Sequence, residues 1–415
     1  MDKISVRVEQ RPEILSVYDI TGQAAGGGEL HGAIYWTMRP PYEHVYEERL
    51  IFDTTLPLPA VGAIGGPDAA EVVKPLASKL PPTIHFDERV GGSANPQPEV
   101  SVSKVQAEFS SPLSIFHVPL DDAVVEATVY PGFTDISHLE FGLAGGHATA
   151  NATVTSDHGG DELKFSLLLL DARHTDFLSA LGQFSDGDKA PAPVKAAPAT
   201  TTTNVTANAT GADSMLGDPA HPGHLDLSLG GELRLGEPDT FTAAGHLRLR
   251  DAQLGKLQLL GGLSRLLADT QVPLGEFSLN SATSDVQIAH GYLRLPNLVV
   301  TGPTARIVAA GTYHIDGGDL DFNALIFPVG QWDSMVLKQI ANILNPFSNT
   351  VTLKLHAKID QPEWDLSMNP LRLFENQTIE GPAIPGLPTD ANGETEMPTL
   401  PPAAPLPVLP TPPAQ

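Results

Sequence analysis

From Gly291 to Val329 the chain reads GYLRLPNLVVTGPTARIVAAGTYHIDGGDLDFNALIFPV, with aliphatic side chains at every second position between glycine-rich breaks. A period of two is the mark of a strand, because successive side chains point to opposite faces of a sheet. ISVRV near the start, VSVSKVQAEF and ATANATVTSD repeat the pattern. A chain written this way must hydrogen-bond its strands side by side and give the resulting sheet one oily face and one wet face. It also leaves little room for catalysis: the stretch holds no cysteine, no nucleophile elbow and no phosphate loop.

Composition narrows the function classes. The 415 residues are enough for two ordinary domains. Hydrophobic residues make up 41% but aromatics only 6%, so the apolar surfaces are mainly aliphatic. Net charge is −25, from 49 acidic and 24 basic residues. Nucleic acid as a partner is therefore excluded, since phosphate binding needs clustered Lys and Arg. Electrostatic docking on anionic lipid headgroups is disfavoured on the same ground. With no cysteine, disulfides and thiolate metal sites are excluded.

No stretch approaches the roughly 20 apolar residues of a membrane helix. The longest apolar run, Phe165–Ala172, has strand length. MDKISVRVEQRPEIL lacks the apolar core of a signal peptide and reads as mid-strand sequence, which points to a part of something longer.

Four regions follow from the pattern. Residues 1–184 alternate strands with turns: GQAAGGGELHGAIYWTM reads as a glycine-rich turn and a strand, PDAAEVVKPLASKL as a short helix weakened by Pro75, and DARHTDFLSALGQF has helical spacing at Phe177, Leu178 and Leu181. Residues 185–224 are Ala, Thr, Pro and Asn with almost no large apolar side chain, the composition of a disordered linker. Residues 225–375 form the clearest β unit. LDLSLGGELRLGE gives two short strands around Gly230-Gly231, and helices are expected at Leu257–Leu267 and around Trp332, Val336, Ile340, Ile343 and Phe347. Residues 376–415 form a Pro-rich tail of polyproline II character, expected to be disordered.

Within the third region the alternation can be assigned to faces. Leu247 and Leu249 share one face, Leu293 and Leu295 another such row, and Leu353, Leu355, Ala357 and Ile359 a third. Opposite them stand His246, Arg248 and Arg250, or Lys354, His356 and Lys358. Two architectures satisfy this pattern. A closed sandwich or barrel packs the oily faces together. An open trough leaves them lining a groove that lipid can occupy, an acyl chain gaining roughly 0.8 kcal/mol per buried methylene.

Other chemistry is weak. Asp316, Asp319 and Asp321 in HIDGGDLDF lack EF-hand spacing, and Gly317-Gly318 make a hairpin turn the better account. His221 and His224 in HPGH have no companion ligands. GAIGGP, Gly62–Pro67, lacks the Lys-Ser/Thr of a phosphate loop. Asp121 and Asp122 are adjacent, so in a regular strand they face opposite ways. No catalytic, metal or cofactor residues are assigned, and the expected class is not an enzyme.

AAGHLRLRDAQLGKLQLLGGLSRLL, then LGEFSLNSATSDVQIAHGYLRLPNLVVTGPTARIVAAGTYHIDGGDLDFNALIFPV, then TVTLKLHAKIDQPEWDLSM resemble, in order and spacing, the C-terminal region of AsmA-like proteins. These are large bacterial envelope proteins that include the TamB group. His290-Gly291, Thr301-Gly302-Pro303, Gly311 and Gly317-Gly318 fall where that pattern has its turns. A looser echo lies in LEFGLAGGHATANATVTSDHGGDELKFSLLLLDARHTDFLSAL. Family members begin with an inner-membrane helix and a long run of strands, so this chain resembles the distal end, as a fragment or one part of a split system.

The resemblance implies a mainly β fold: a curled antiparallel sheet with an open, taco-like groove, a few short amphipathic helices, a linker and a tail. It implies a periplasmic conduit for phospholipid acyl chains between inner and outer membranes, with a membrane-anchored upstream partner. Alternatives are a TamB-like assembly module for outer-membrane proteins and a ligand-free β-scaffold. The groove-lining candidates are Leu247, Leu249, Leu293, Leu295, Ile307, Phe322, Leu353 and Leu355.

Overall fold

The computed structural model describes residues 3–24, 27–38, 45–74, 76–91, 101–115, 118–157, 160–177, 180, 223–250, 280–302, 305–315, 318–328, 351–358, 363–367 and 384. The chain divides into two compact units, Met1–Leu167 with Gln183–Gly187, and Leu168–Gly182 with Asp188–Gln415. Both are built from antiparallel strands that pair with their neighbours in sequence, so the mainly β, open-sheet expectation is met.

The first unit contains β1 (Lys3–Arg11), β2 (Ile14–Gln23), β3 (Glu29–Met38), β4 (Val45–Thr54), α1 (Leu58–Val73), β5 (Leu76–Ser78), β6 (Thr83–Gly91), β7 (Ser101–Glu108), β8 (Leu113–Ile115), β9 (Val118–Tyr130), β10 (Phe133–Leu143) and β11 (Gly146–Asp157). Pairing runs β1-β2-β3-β4-β6-β7-β9-β10-β11, every step antiparallel. β5 and β8 leave this order and pair with each other, and β8 also pairs with β9. Among the described residues β1 and β11 do not pair, so the unit does not close into a barrel.

β12 (Gly160–Arg173) carries the chain from the first unit into the second. The second unit continues with β13 (His224–Arg234), β14 (Glu237–Arg250), β15 (Ser281–Ala289), β16 (Tyr292–Thr301), β17 (Ala305–His314), β18 (Asp319–Pro328), β19 (Val351–Lys358) and β20 (Glu363–Ser367). β13 to β20 pair in simple succession, again antiparallel. β13 and β20 do not pair among the described residues, so this run is open as well.

Turn chemistry explains the succession. Ala144-Gly145 and His290-Gly291 both have positive φ at each residue (53° and 77°, 50° and 74°), the two-residue geometry whose twist matches that of paired strands. His290-Gly291 thus falls where the sequence put a turn. At Pro131-Gly132 proline sets the first dihedral and Gly132, at φ 72°, takes the left-handed position. Bulges at Asp19 in β2 and Asp122 in β9 leave a non-glycine residue left-handed, and Asp171 in β12 is left-handed as well. The bulge at Asp122 shifts the register of β9 so that Asp121 and Val124, three residues apart, share a face.

Other boundaries differ from the sequence reading. Gly230-Gly231 does not separate two strands: β13 runs straight through, with Gly230 opposite Ala244 and Gly231 opposite Ala243, and the turn comes at Leu235-Gly236. These glycines lie where strands pack closely; a β-carbon on the neighbouring Gly245 would run into the Ser228 carbonyl. The helix expected in PDAAEVVKPLASKL starts earlier, at Leu58, takes in GAIGGP, and ends at Val73 two residues before Pro75. His224, the last residue of the linker expected over 185–224, instead opens β13, and residues 185–222 lie outside the described residues. The helices expected at Leu257–Leu267 and around Trp332 also lie outside them. So does the tail, apart from Ile384, which is buried with 1% of its surface exposed.

The first unit's core sits at one end of its sheet. Leu56, Leu58, Phe109, Leu113, Leu120, Ala123, Phe141 and Ala148 are buried there, next to α1 and the short β5–β8 pairing. In the second unit β13 is enclosed on both faces: Leu225 and Leu227 are buried, and so are the alternate residues Asp226 and Ser228.

Candidate functional site

Strand register determines which side chains share a face, and in the second unit it gathers the aliphatic residues onto one. Leu227 stands opposite Leu247, Leu247 opposite Ser284, Leu298 opposite Ala309, Ala309 opposite Ala324 and Ala324 opposite Leu353. A parallel row runs through Leu295, Gly311, Phe322, Leu355 and Trp364. A third links Leu225, Leu249, Ala282, Val300 and Ile307. β16 keeps Leu293, Leu295, Leu298 and Val300 in phase only because its pairing shifts between Leu295 and Leu298. Without that bulge a single-residue slip would turn half the strand to the wrong side.

All eight candidates from the sequence, Leu247, Leu249, Leu293, Leu295, Ile307, Phe322, Leu353 and Leu355, occupy this one face by register. Leu247, Leu249, Leu293, Leu295, Ile307 and Phe322 are half-buried. The fully enclosed positions between them are mostly small: Ala243, Ala282, Ser284, Ala309 and Ala324. The surface is therefore low, aliphatic and partly open to solvent. At Gly311 the ring of Phe322 lies where a β-carbon would be, so an aromatic edge covers bare backbone.

The first unit builds the same arrangement, which the sequence reading did not assign. One row runs Ile20, Gly32, Phe52, Phe86, Val105, Ala127, Ile136 and Ala152. Phe52 covers Gly32 as Phe322 covers Gly311. The next row towards the buried end is Gly22, Leu30, Thr54, Ile84, Ala107, Val125, Leu139 and Ala150. Towards the other end the face turns mixed, with Leu50 opposite Glu88, and Glu88 hydrogen-bonded to Ser101. The signal was legible in principle, because Val105, Ala107, Val125, Ala127 and Val129 alternate, but alanine at every other row position weakens it on β7 and β9 and bulges shift its register.

The opposite faces are polar and cross-linked. In the first unit Arg49 donates two hydrogen bonds of 2.9 Å to the Asp87 carboxylate. That pairing raises the Arg49 pKa and holds Asp87 below the ordinary carboxylate range. In the second unit Asp226 accepts from the Asp171 backbone N–H at 3.0 Å and from Arg250 Nη2 at 3.1 Å, with Arg248 at 3.8 Å. Its side chain is only 3% exposed, so these donors carry its charge. His246 bonds Asp285 at 2.6 Å, and Asn297 holds the same carboxylate at 2.7 Å. His174, next to β12, is buried, and burial pushes its pKa below the ordinary value.

His224 Nδ1 lies 2.9 Å from Asp171 Oδ1; His221 lies outside the described residues. Gly318 N donates to His314 O at 2.8 Å in the turn between β17 and β18, while Asp319 and Asp321 belong to β18. Among the described residues no three His, Asp or Glu side chains form a metal-binding group. No helix among them is long and apolar enough to cross a membrane.

Comparison with protein families, with curated proteins and with solved structures finds no match to this chain.

Proposed function

We propose that the aliphatic face formed by β13–β20 is a bed for lipid acyl chains, and that the protein is a non-enzymatic carrier or conduit for phospholipid in a bacterial envelope, as its resemblance to the distal part of AsmA-like bridges implies. The observation that carries this reading is the register. Eight aliphatic or aromatic positions from five separate strands fall on one face, and the six with described side chains are half-buried.

Apolar surface left in water costs roughly 25 cal/mol per Å². A hydrocarbon chain laid on it recovers that cost without any fixed polar partner. The paving of Leu, Ala and Gly suits a ligand that slides, since these side chains form no directional hydrogen bond. The periplasm is the compartment this role requires.

The test is uptake by the full chain after delipidation. A fluorescent fatty acid is expected to bind with saturation. The double substitution Leu247→Lys with Leu249→Lys is expected to weaken binding at least tenfold, while Thr283→Lys, on the opposite face, leaves it unchanged. Failure of the unsubstituted protein to bind, with its circular dichroism intact, ends the proposal.

A further inference from the structure

Among the described residues the strand succession begins at β1 and ends at β20. Among the described residues β1 pairs with β2 alone and β20 with β19 alone. Natural edge strands are kept short, bulged or charged on both sides, because unpaired N–H and C=O groups attract other strands. β1 is nine residues long, and it exposes Val6 at 53% and Val8 at 61%. Both valines lie on the oily side of the first unit, since Val8 stands opposite Val17 and Val17 opposite Ile34.

The alternate positions of β1 are Lys3, Ser5, Arg7, Glu9 and Arg11, a basic excess within a strongly acidic chain. β20 is written in the complementary sense. Trp364 stands opposite Leu355 and Leu366 opposite Leu353, in register with the oily face. The alternate positions are Glu363 and Asp365.

We propose that β1 of one copy adds onto β20 of a second copy, joining molecules head to tail. Antiparallel pairing with Val6 opposite Trp364 sets Arg7 opposite Glu363, Ser5 opposite Asp365 and Ile4 opposite Leu366. Oily positions then meet oily ones and opposite charges meet across the junction, the pairings that stabilise neighbouring strands. Glu9 falls beyond the end of β20 in this register, so no like charges are opposed. The contact uses two different surfaces, which makes it heterologous and extensible. It rests on the two edges and not on the lipid reading.

The absence of cysteine from the chain gives a clean probe. Full-length Val6→Cys and Trp364→Cys proteins are mixed under mild oxidation. Directly opposed strand positions have the β-carbon spacing a disulfide needs. The expected product is a disulfide joining the two substituted positions, at least tenfold more abundant in the mixture than dimer in either protein alone. Arg7→Cys with Glu363→Cys repeats the test on the wet side, should the tryptophan substitution disturb folding. Adding Arg7→Glu to the Val6→Cys protein is expected to cut the yield severalfold, and Glu363→Arg in its partner to restore it. Dimer from Val6→Cys alone, matching the mixture, would show that β1 pairs with itself and overturn the proposal. So would the absence of crosslinks from both cysteine pairs in proteins with intact circular dichroism.

Discussion

The two units are variations on one plan, an open run of antiparallel strands with a single aliphatic face, and they differ in what braces that face. The first buries one end of it beneath Leu56, Leu58 and the β5–β8 corner, and its polar side is held by a half-exposed Arg49–Asp87 pair. The second has its main brace in charge: Asp226, enclosed on β13, is held by Arg250, Arg248 and the Asp171 backbone. A sheet whose oily side stays open must find its rigidity elsewhere. One unit uses hydrophobic packing at a corner, the other a desolvated polar clamp.

The largest expected effect tests the clamp. Asp226→Ala removes the enclosed carboxylate that Arg250 and Arg248 face, leaving Arg250 with Asp171 at 3.2 Å, and is expected to cost the second unit about 3 kcal/mol, the low end of the usual loss when one partner of a buried ion pair is removed. Asp87→Ala in the first unit should cost about 1 kcal/mol, because Arg49 keeps 38% of its side chain in water where Asp226 keeps 3%. Urea unfolding followed by Trp36 fluorescence in a Trp332→Phe, Trp364→Phe background for the first unit, and by circular dichroism for the whole chain, separates the two. Equal losses would break the contrast.

Leu56→Ala comes next. It removes a fully buried side chain from the corner and is expected to destabilise the first unit by about 3 kcal/mol, whereas Leu247→Ala, on the half-open face, should cost about 1 kcal/mol. Comparable values would mean that the open face is packed as a core.

A third pair probes what the units share. Gly32→Val and Gly311→Val each drive a side chain into the ring of Phe52 or Phe322, and each is expected to cost about 2 kcal/mol. Phe52→Leu and Phe322→Leu should recover part of the loss in the respective unit.

Much of this was legible in the sequence, and the misses have physical causes. The eight candidates share a face because a period of two survives pairing whenever bulges occur in compensating places; at β16 the shift between Leu295 and Leu298 does this. Gly230-Gly231 misled because glycine marks both turns and close strand approach, and only the register separates them. The first unit's strands were legible but its shared face was not, because bulges in β2 and β9 shift the register and β5 and β8 leave the order. Asp226 gave no local signal, since its partners come from β12 and β14 and its burial is a product of pairing.

The smallest expected effect is pH dependence, which sharpens the contrast. Burial lowers the His174 pKa, so the unfolded chain binds its proton more readily. His174's contribution is complete above about pH 6.5 and declines as pH falls from there towards its folded pKa. His174→Phe should flatten this slope in thermal melts of the second unit. Asp87 is depressed by Arg49, so its contribution is present above about pH 3.9 and is lost as pH falls through the lower folded value. Between about pH 6.5 and 5, acid should therefore weaken the second unit while the Arg49–Asp87 pair remains intact.

The strictly successive pairing of β13 to β20 has a consequence for size. Neighbouring strands lie about 4.8 Å apart, so eight of them place the first and last roughly 34 Å from each other along the hydrogen-bonding direction. Inserting or deleting one hairpin would alter that reach by about 10 Å without rewiring any other contact. Gene duplication within such a ladder behaves like adding rungs, and a protein built this way can be tailored to whatever gap it has to bridge.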